Sequence, residues 1–539
     1  MAHPSNSLPM FSKDPPPPSE NEGNELEDHE LQGLLSGVQS SNRQDAKKER
    51  GLFDWLDDRK PWTRKRMALI AGGLVLLLLG AALAPPCLNL GRGNRKSMHP
   101  NQKFVGSELR SNGTHDFKRT VLIVSIDGLR ADYLDRGLTP HLLDISKKGL
   151  RAKYMKPIFP TLTFPNHWAL MTGLYAESHG IVANNFWDPQ SKSEFHYNKE
   201  TTTWNPSWWF GEPMWETTGR AGLISANLMW PGPPKTMTGA SPTYFKPWRD
   251  KVPLDEKLDQ IMEWIDMPLE DRPQLIMAYE PTLDQAGHLK GPNSKLVNDT
   301  LKYVDTFAKD LHLELVARNL TDIVDIIFVS DHGMTDTSHP ELVYLDDILG
   351  EEGYAYIEHE DGWPSKGLWF SNKCNVTHYL DVLLSAAAEN PEKFAVYTRE
   401  TMPERYHFAN SDRIAPVYVV PKIGYALTTR AEGDDGVSKG SHGYDNNEPS
   451  MRAMFVAHGP FSTNVKDVNS KRSVSWSSSL FSRAAKMNAP TGWHSIDKSA
   501  YVMEGFENVQ IYGLVMKLLG LEDWSARNNA TKGFWDKYF

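Results

Sequence analysis

Four runs of apolar residues constrain the fold of this chain more than any other feature. They lie at 121–126, 275–279, 323–330 and 453–457, and each has the length of one strand. Their apolar character is nearly continuous, without alternation between apolar and polar residues. Such strands have both faces buried, which is typical of a parallel sheet with helices on each side. We therefore expect an α/β fold, a doubly wound, mostly parallel sheet sandwiched by helices.

Helical patterns lie between these runs. Thr139 and Pro140 form a start signal, a capping side chain followed by proline in the first turn, and Gly149 ends the pattern. A longer helix is expected from about 294 to 318, because its apolar residues recur at spacings of three and four.

The charge and the cysteine content exclude several classes of protein. The 539 residues carry a net charge of −10, and no basic tract occurs beyond the flank of the apolar segment described next, so no stable nucleic-acid partner is expected. Two cysteines, Cys87 and Cys374, are too few for a CxxC zinc site, an iron–sulfur cluster or a disulfide-rich scaffold. Residues 119–539 contain no repeat or linker and are expected to form one domain, with an atypical insertion at 465–503.

A charge-free apolar segment predicts a single transmembrane helix at 67–88. It lies too far from the N-terminus for a cleaved signal peptide, and the alternative is a buried core helix. The twenty residues before it hold eight Lys/Arg and the twenty after it hold four. The positive-inside rule then places the N-terminus in the cytoplasm and the rest of the chain outside the cell or in a lumen, as in a single-pass type II membrane protein.

The segments that flank the predicted helix are polar. Residues 1–66 have little apolar periodicity and read as a disordered cytoplasmic tail, and 89–118 read as a stalk. Five Asn-x-Thr sequons follow the apolar segment, which agrees with a luminal or extracellular glycoprotein. They begin at Asn112, Asn298, Asn319, Asn375 and Asn529.

Polar clusters follow the apolar runs. Asp127 follows the first run, Asp284 and His288 lie shortly after the second, and Asp331 and His332 follow the third. A further cluster at 440–445, which contains His442, precedes the fourth run. Carboxyl ends of parallel strands meet at one edge of a sheet, so these side chains should converge there. Carboxylates and imidazoles together suit zinc. Each cluster alone has a plain alternative, a helix cap, a turn or a surface pair.

A candidate nucleophile lies in the segment 159–167. Thr163 precedes Pro165 by two residues, and a short helix is expected at 168–172. Backbone N–H groups at a helix N-terminus stabilise phosphate, and a bound metal favours the alkoxide of a hydroxyl. The alternative is an ordinary capping threonine.

The motifs together resemble a known family. SIDGLRADYL, PTLTFPNHWALMTGLYAESHGIVANN, LDQAGH, SDHGM and KGSHGYDN occur in order at family-like spacing over residues 119–460, and the resemblance resumes at 508–531. They are similar to the ectonucleotide pyrophosphatase/phosphodiesterase family of the alkaline phosphatase superfamily. The resemblance implies an alkaline-phosphatase-like fold, two zinc ions as cofactors, and nucleotides or related phosphodiesters as substrates.

The resemblance also assigns roles to single residues. One zinc would be held by Asp127, Thr163, Asp331 and His332, and the other by Asp284, His288 and His442. Asn184 would help to hold a phosphoryl oxygen, and Phe164 and Tyr244 would sandwich a nucleobase. The chain departs from its relatives at Leu162, where some carry Lys, and at Pro233-Pro234, where some carry a polar or acidic residue.

The implied reaction is hydrolysis of phosphodiester and pyrophosphate bonds of nucleotides. Thr163 attacks the phosphorus next to the nucleoside, a covalent threonine diester forms, and water releases a nucleoside 5′-monophosphate. Alternatives are a lipid phosphodiesterase or a phosphomonoesterase of the same superfamily, and a catalytically inactive scaffold. The sequence does not settle the oligomeric state.

Overall fold

The central strand of the main sheet is the first of the four apolar runs. It spans Thr120–Ile126, and all seven of its residues are buried. Its side chains alternate between two cores, with Val121 and Ile123 in one and Leu122 and Val124 in the other. Both faces of the strand are therefore covered, as continuous apolar character requires.

The computed structural model describes residues 108–433, 437–462 and 501–539. Its strands are, in chain order, β1 Arg110–Ser111, β2 Asp116–Phe117, β3 Thr120–Ile126, β4 Leu150–Ala152, β5 Met155–Lys156, β6 Asn185–Asp188, β7 Ser193–His196, β8 Ser225–Leu228, β9 Tyr244–Lys246, β10 Leu275–Glu280, β11 Val324–Val329, β12 Thr335–Asp336, β13 Glu341–Tyr344, β14 Ile357–Asp361, β15 Lys366–Phe370, β16 Phe394–Thr398, β17 Val417–Pro421, β18 Tyr425–Thr428, β19 Gly440–Ser441, β20 Phe455–His458, β21 Tyr501–Met503 and β22 Phe506–Glu507. Its α-helices are α1 Pro140–Lys148, α2 Thr163–Thr172, α3 Ala176–His179, α4 Glu200–Thr203, α5 Met214–Arg220, α6 Leu254–Ile265, α7 Thr282–Lys290, α8 Lys295–Ala317, α9 Leu345–Tyr354, α10 Val376–Glu389 and α11 Gln510–Leu519.

The main sheet has eight strands in the order β21-β4-β20-β11-β3-β10-β8-β9. Strand β3 pairs in parallel with both β10 and β11, and the parallel order continues through β8 to β9. Strand β20 runs antiparallel to both of its neighbours, β11 and β4. The sheet is thus mostly parallel, as predicted, but the fourth apolar run forms its antiparallel member, because apolar continuity reports burial and carries no information on direction.

Helices cover both faces of this sheet. The core on one face contains Trp168 of α2 and Leu514 of α11. The core on the other face contains Leu142 of α1, Ile261 of α6 and Leu301 of α8. This is the α/β sandwich that the sequence predicts.

The two predicted helices are present, and the start of one is capped differently from the prediction. Helix α8 follows Ser294, whose side chain accepts a hydrogen bond from the Val297 N–H. Helix α1 follows Thr139, but the Thr139 hydroxyl donates to the Leu134 carbonyl instead of capping the helix. The carboxylate of Asp305, from α8, accepts from two N–H groups of the first turn at 2.8 and 3.0 Å, so a tertiary cap replaces the local one.

A second, smaller sheet was not predicted from the sequence. Strands β14, β15, β17 and β16 form an antiparallel sheet within residues 357–421. It packs with α9 and α10 around a separate hydrophobic cluster that includes Leu368, Leu383 and Val419.

The predicted tail at 1–66 and the predicted membrane helix at 67–88 lie outside the described residues. Within the described ranges, no helix combines the length and the hydropathy that a membrane crossing requires. The end of the predicted stalk is folded, because β1 and β2 form a hairpin whose Phe117 is buried and whose Asn112 side chain donates to the Arg318 carbonyl at 2.8 Å. Most of the predicted insertion at 465–503 is likewise not described, and its last three residues form β21, parallel to β4.

Candidate active site

The polar clusters meet at the carboxyl-end edge of the central parallel strands. Asp127 follows β3, helix α7 follows β10, and Asp331 lies two residues after β11. Hydrogen bonds from backbone N–H groups fix their spacing, since the Asp127 N–H donates to the Glu280 carbonyl at 2.9 Å and the Gly128 N–H donates to Asp331 Oδ1 at 3.2 Å. The convergence that strand ends predict is therefore present.

One donor group combines Asp127, Thr163, Asp331 and His332. His332 Nε2 lies 3.0 Å from Asp331 Oδ2 and 3.4 Å from Asp127 Oδ1. Thr163 Oγ1 lies 3.2 Å from the same nitrogen. The structure thus brings together the four side chains of the first predicted ligand set, and three of them form a buried cluster that could hold a metal ion.

The second donor group combines Asp284, His288 and His442. Asp284 and His288 lie one turn apart on α7, which makes their side chains neighbours on one helix face. His288 Nε2 lies 3.1 Å from His442 Nε2 and 3.4 Å from Asp284 Oδ2. The rings of His332 and His442 stack at 3.5 Å, so the two donor groups adjoin.

Hydrogen bonds orient the three imidazoles toward the centre. Each histidine has its Nδ1 within hydrogen-bond distance of a backbone carbonyl: His288 with Gly440 at 2.8 Å, His332 with Gly333 at 2.9 Å, and His442 with Thr161 at 2.8 Å. A proton on Nδ1 leaves the lone pair on Nε2, the tautomer that binds metal.

The donor set fits divalent cations. Three buried carboxylate oxygens, Asp127 Oδ1, Asp284 Oδ1 and Asp331 Oδ2, have no hydrogen-bond partner among the described residues. With Nδ1 protonated, the short contacts from His332 Nε2 to two of them bring lone pairs together and are not hydrogen bonds. Buried anionic oxygens are costly unless a cation compensates them, and nitrogen and carboxylate donors in this ratio suit zinc.

The pKa directions agree with a site built for cations. Burial and the nearby Asp331 and Asp284 carboxylates raise the pKa of Asp127 well above its usual range. Burial, with the neighbouring histidines, lowers the pKa of His442 well below its usual range, so its imidazole is neutral at pH 7. Burial also tends to raise the pKa of Asp331, but the positive charge that His332 and His167 carry when protonated outweighs it, and the pKa falls below its ordinary value. The carboxylates of Asp127, Asp284 and Asp331 repel one another unless positive charge lies between them.

Thr163 is the first residue of α2, so the helix begins five residues earlier than the predicted 168–172. The side chain of Asn166 fixes the preceding loop, accepting from the Ile158 N–H at 2.8 Å and donating to the Leu162 carbonyl at 2.9 Å. The hydroxyl of Thr163 is thereby held at the positive end of the helix dipole, which favours an anion.

Asn184 lies beside this helix start and lines the cleft with Thr163. Its Oδ1 accepts a hydrogen bond from the Phe164 N–H at 3.0 Å. Because this bond occupies the acceptor end of the amide, the Nδ2 donor end is available to an oxygen in the cleft.

Two buried residues support the donor set and were not predicted. His167 Nδ1 lies 2.9 Å from the Thr163 carbonyl and 3.3 Å from Asp331 Oδ2, and the Tyr279 hydroxyl donates to Asp127 Oδ2. His167 lies four residues after Thr163 on α2, and this helical spacing was the signal that could have identified it.

The smaller sheet contacts the strand β6, which begins next to the site residue Asn184. The buried Asp361 accepts from the Trp187 N–H at 2.7 Å and from the Trp369 indole at 2.6 Å. The Gly362 N–H donates to the carbonyl of Asn185, the residue that follows Asn184, at 3.0 Å. These bonds hold the strand that begins next to Asn184.

The cleft in front of the donor groups has a volume of about 610 Å³. Phe164 and Phe245 line it, whereas Tyr244 is not among its lining residues. The Tyr244 hydroxyl donates to the Asp271 carbonyl at 2.9 Å and its ring packs on Trp264, on the other side of β9. The structure therefore does not bring Tyr244 to Phe164 as the resemblance implied, because neighbouring residues of a strand point to opposite faces.

A sequence model of the family described as type I phosphodiesterase / nucleotide pyrophosphatase matches residues 121–445. The chain belongs to this family. An uncharacterized pyrophosphatase/phosphodiesterase of Schizosaccharomyces pombe is 36% identical over 428 residues, 78% of this chain and 80% of that protein. Ectonucleotide pyrophosphatase/phosphodiesterase family member 3 of Mus musculus is 32% identical over 77% of this chain, and the match spans 43% of the mouse protein.

Solved structures of the phosphodiesterase family share the fold. Murine ectonucleotide pyrophosphatase/phosphodiesterase 5 superposes with a TM-score of 0.64 at 30% identity, covering 78% of this chain and 98% of its own. An inactive variant of the murine protein was solved in complex with AMP. The family predicted from the motifs is confirmed, together with the alkaline-phosphatase-like α/β fold and the enzyme class, a hydrolase of phosphodiester and diphosphate bonds.

Proposed function

We propose that this chain is a membrane-anchored, zinc-dependent nucleotide pyrophosphatase/phosphodiesterase that acts through a covalent threonine intermediate. One observation carries the proposal. The Thr163 hydroxyl lies at a helix start, 3.2 Å from His332 Nε2, in a site where three buried carboxylate oxygens have no hydrogen-bond partner among the described residues. A hydroxyl so placed is a nucleophile once its proton is removed, and an anionic phosphate can approach it only if cations offset the carboxylates.

The residues that would hold two zinc ions are the two donor groups. Asp127, Thr163, Asp331 and His332 form one set, and Asp284, His288 and His442 form the other. When bound, the ions would lower the pKa of the Thr163 hydroxyl and stabilise charge on the attacking and leaving oxygens.

Thr163 and Asn184 have different roles in the reaction. Thr163 Oγ1 attacks the phosphorus next to the nucleoside, a bond from oxygen to phosphorus forms, and the bond to the leaving oxygen breaks. The resulting threonine diester is then hydrolysed by water, which returns the hydroxyl and releases a nucleoside 5′-monophosphate. The Asn184 amide donates to a phosphoryl oxygen, where negative charge grows in each transition state.

The lining of the cleft offers two kinds of contact. Phe164 and Phe245 are lining rings on which a base would stack, and stacking on rings accepts any base. Lys290 and Lys439 line the cleft near His288 and form no ion pair with another described residue. They suit an anionic leaving group such as pyrophosphate.

Thr163→Ala tests the mechanism, with Thr306→Ala on α8 as the control. In the full-length chain, Thr163→Ala should abolish hydrolysis of both ATP and bis(4-nitrophenyl) phosphate, and Thr306→Ala should leave both rates unchanged. Wild-type rates in Thr163→Ala would refute the nucleophile. The wild-type chain should cleave the diester much faster than 4-nitrophenyl phosphate, and the reverse order would indicate a phosphomonoesterase.

A second candidate is a phosphodiesterase of choline-phosphate esters. The cleft contains aromatic rings, among them Tyr197, Trp204 and Trp248, together with the carboxylate of Glu200. Aromatic faces with a nearby carboxylate also bind quaternary ammonium groups. Faster cleavage of 4-nitrophenyl phosphorylcholine than of any nucleotide would favour this candidate.

The membrane topology is part of the proposal and has its own test. The apolar segment at 67–88 with its basic N-terminal flank supports a type II orientation, with the active site outside the cell or in a lumen. Sequons at Asn319, Asn375 and Asn529 have exposed asparagines in the structure. In sealed vesicles, external protease should remove the N-terminal tail and leave residues after 88 intact and sensitive to glycosidase only after lysis.

A further inference from the structure

We infer that Glu200 and Asn198 contact the edge of a base held between Phe164 and Phe245, and that guanine nucleotides are the preferred substrates. The inference rests on the proposed function and names the substrate class of the same site. It depends on one segment, residues 197–204, which we call the edge segment.

The edge segment contacts both of the rings on which the base is proposed to stack. At its start, the Tyr197 ring lies 5.6 Å from the Phe164 ring, centroid to centroid. At its end, the Trp204 ring lies 6.5 Å from the Phe245 ring. A planar base inserted between Phe164 and Phe245 would therefore present one edge to the residues between these two contacts.

Hydrogen bonds hold the edge segment in place. The Tyr197 N–H donates to the Asn184 carbonyl at 3.0 Å, which ties the segment to the strand beside the nucleophile. The Trp204 N–H donates to the Glu200 carbonyl at 2.9 Å, and the Trp209 indole donates to the Thr203 carbonyl at 2.9 Å. The backbone of this segment is thus positioned before a base arrives, which reduces the entropy lost on binding.

Glu200 is the one acidic lining residue of the cleft outside the proposed metal ligands, within the described ranges. Its carboxylate forms no ion pair and accepts no hydrogen bond from any residue that the structure describes. Asn198, two residues earlier, also lines the cleft and has an exposed amide. The edge segment therefore offers an anionic acceptor next to a neutral donor.

This pair of groups matches the Watson–Crick edge of guanine. A carboxylate only accepts hydrogen bonds, and guanine presents two adjacent donors, N1–H and N2–H, that it can accept together. Guanine O6 lies next to N1 and can accept from the Asn198 amide. Adenine presents one donor beside an acceptor, and uracil presents one N–H between two carbonyl oxygens that would repel Glu200.

Substitution of Glu200 by glutamine tests the inference, because the substitution should change kcat/KM in opposite directions for GTP and UTP. In the full-length chain we expect kcat/KM to be about tenfold higher for GTP than for UTP. The expected ratio is modest because the side chains of Glu200 and Asn198 are exposed and water competes for their hydrogen bonds. Glu200→Gln replaces one acceptor by a donor, so kcat/KM should fall for GTP and rise for UTP, whose N3–H and O4 match an amide. The control is Glu194→Gln, an exposed glutamate that does not line the cleft. It should leave the GTP/UTP ratio unchanged.

Failure of this inference can be told apart from failure of the proposed function. Hydrolysis of bis(4-nitrophenyl) phosphate, which has no base, reports the phosphodiesterase chemistry in the wild-type chain. If that diester is cleaved but GTP and UTP have equal kcat/KM, or if Glu200→Gln leaves their ratio unchanged, base reading by the edge segment is refuted. If no phosphodiester is cleaved, the proposed function is refuted. Preference for 4-nitrophenyl phosphorylcholine over GTP would overturn the guanine assignment in favour of a cationic group.

Discussion

Replacing Lys257 by methionine should destabilise the connection between β10 and α7. Helix α7 carries Asp284 and His288. Lys257 Nζ lies 2.6 Å from Glu280 Oε2, and the two side chains are 2% and 1% exposed. The ammonium also donates to the Tyr279 carbonyl at 2.9 Å. Glu280 Oε1 in turn accepts from the N–H of Thr282, the first residue of α7, at 2.9 Å.

The size of the effect follows from burial. Removing one partner of a buried ion pair leaves an uncompensated charge and costs about 3–5 kcal/mol, whereas replacing both partners by neutral groups is nearly neutral. Lys257→Met should therefore lower the free energy of unfolding by about 3–5 kcal/mol. Adding Glu280→Gln should recover most of that loss, because Gln retains an acceptor for the first turn of α7.

Urea unfolding of the full-length chain, followed by tryptophan fluorescence, measures these differences. The control is Lys302→Met on α8, whose ammonium is exposed and pairs with Asp299 at 3.4 Å. It should change the free energy of unfolding by less than about 1 kcal/mol. A loss below about 1 kcal/mol in Lys257→Met, or a double variant as unstable as the single one, would refute the argument from buried charge.

Three further predictions concern the cleft, a buried acid and the smaller sheet. Lys290→Ala should raise KM about threefold for ATP and leave KM for bis(4-nitrophenyl) phosphate unchanged, with Lys295→Ala as a surface control that changes neither. Burial raises the pKa of Asp325 to about 7, so its favourable contribution to stability is present below its unfolded pKa of 3.8 and is lost as the pH rises through about 7. Asp325→Asn should remove that loss, a gain of about 4 kcal/mol at pH 8 in urea unfolding, and equal pH slopes for variant and wild type would contradict it. Asp361→Asn should lower kcat about tenfold without changing KM and cause no further loss in the Asn184→Ala background, and losses that multiply would exclude positioning through Asn184.

The sequence predicts the main sheet and the convergence of the polar clusters because both depend on short-range patterns. Each of the first three apolar runs is followed within a few residues by a polar cluster, and parallel strands place those ends at one edge. Asp127 and Asp331 directly illustrate this, since a strand end fixes where each carboxylate lies. The helical spacing of Asp284 and His288 likewise needs only one turn of α7.

Features that depend on long-range contacts were missed. The direction of β20 and the contact of Asp361 with the strand beside Asn184 join residues more than a hundred positions apart. The smaller sheet pairs strands that are separated by other elements within residues 357–421. The cap of α1 is another example, because the carboxylate of Asp305 occupies the place expected for Thr139. No local pattern carries these contacts.

The aromatic wall of the cleft shows how a one-residue difference changes a site. Strand β9 has three residues, and its neighbouring side chains point to opposite faces. Tyr244 faces the core beside Trp264, and Phe245 faces the cleft. A strand this short has too few residues for its alternation to reveal which face is buried.

Metal content is the most direct test of the central claim that seven side chains, among them Thr163, hold two cations. The full-length chain, stripped with a chelator, reloaded with zinc and freed of excess ion, should contain two zinc ions per chain by elemental mass spectrometry. His288→Ala combined with His442→Ala should retain one, and further addition of Asp331→Asn and His332→Ala should retain none. Two ions in the last variant, or none in the wild-type chain, would contradict the account.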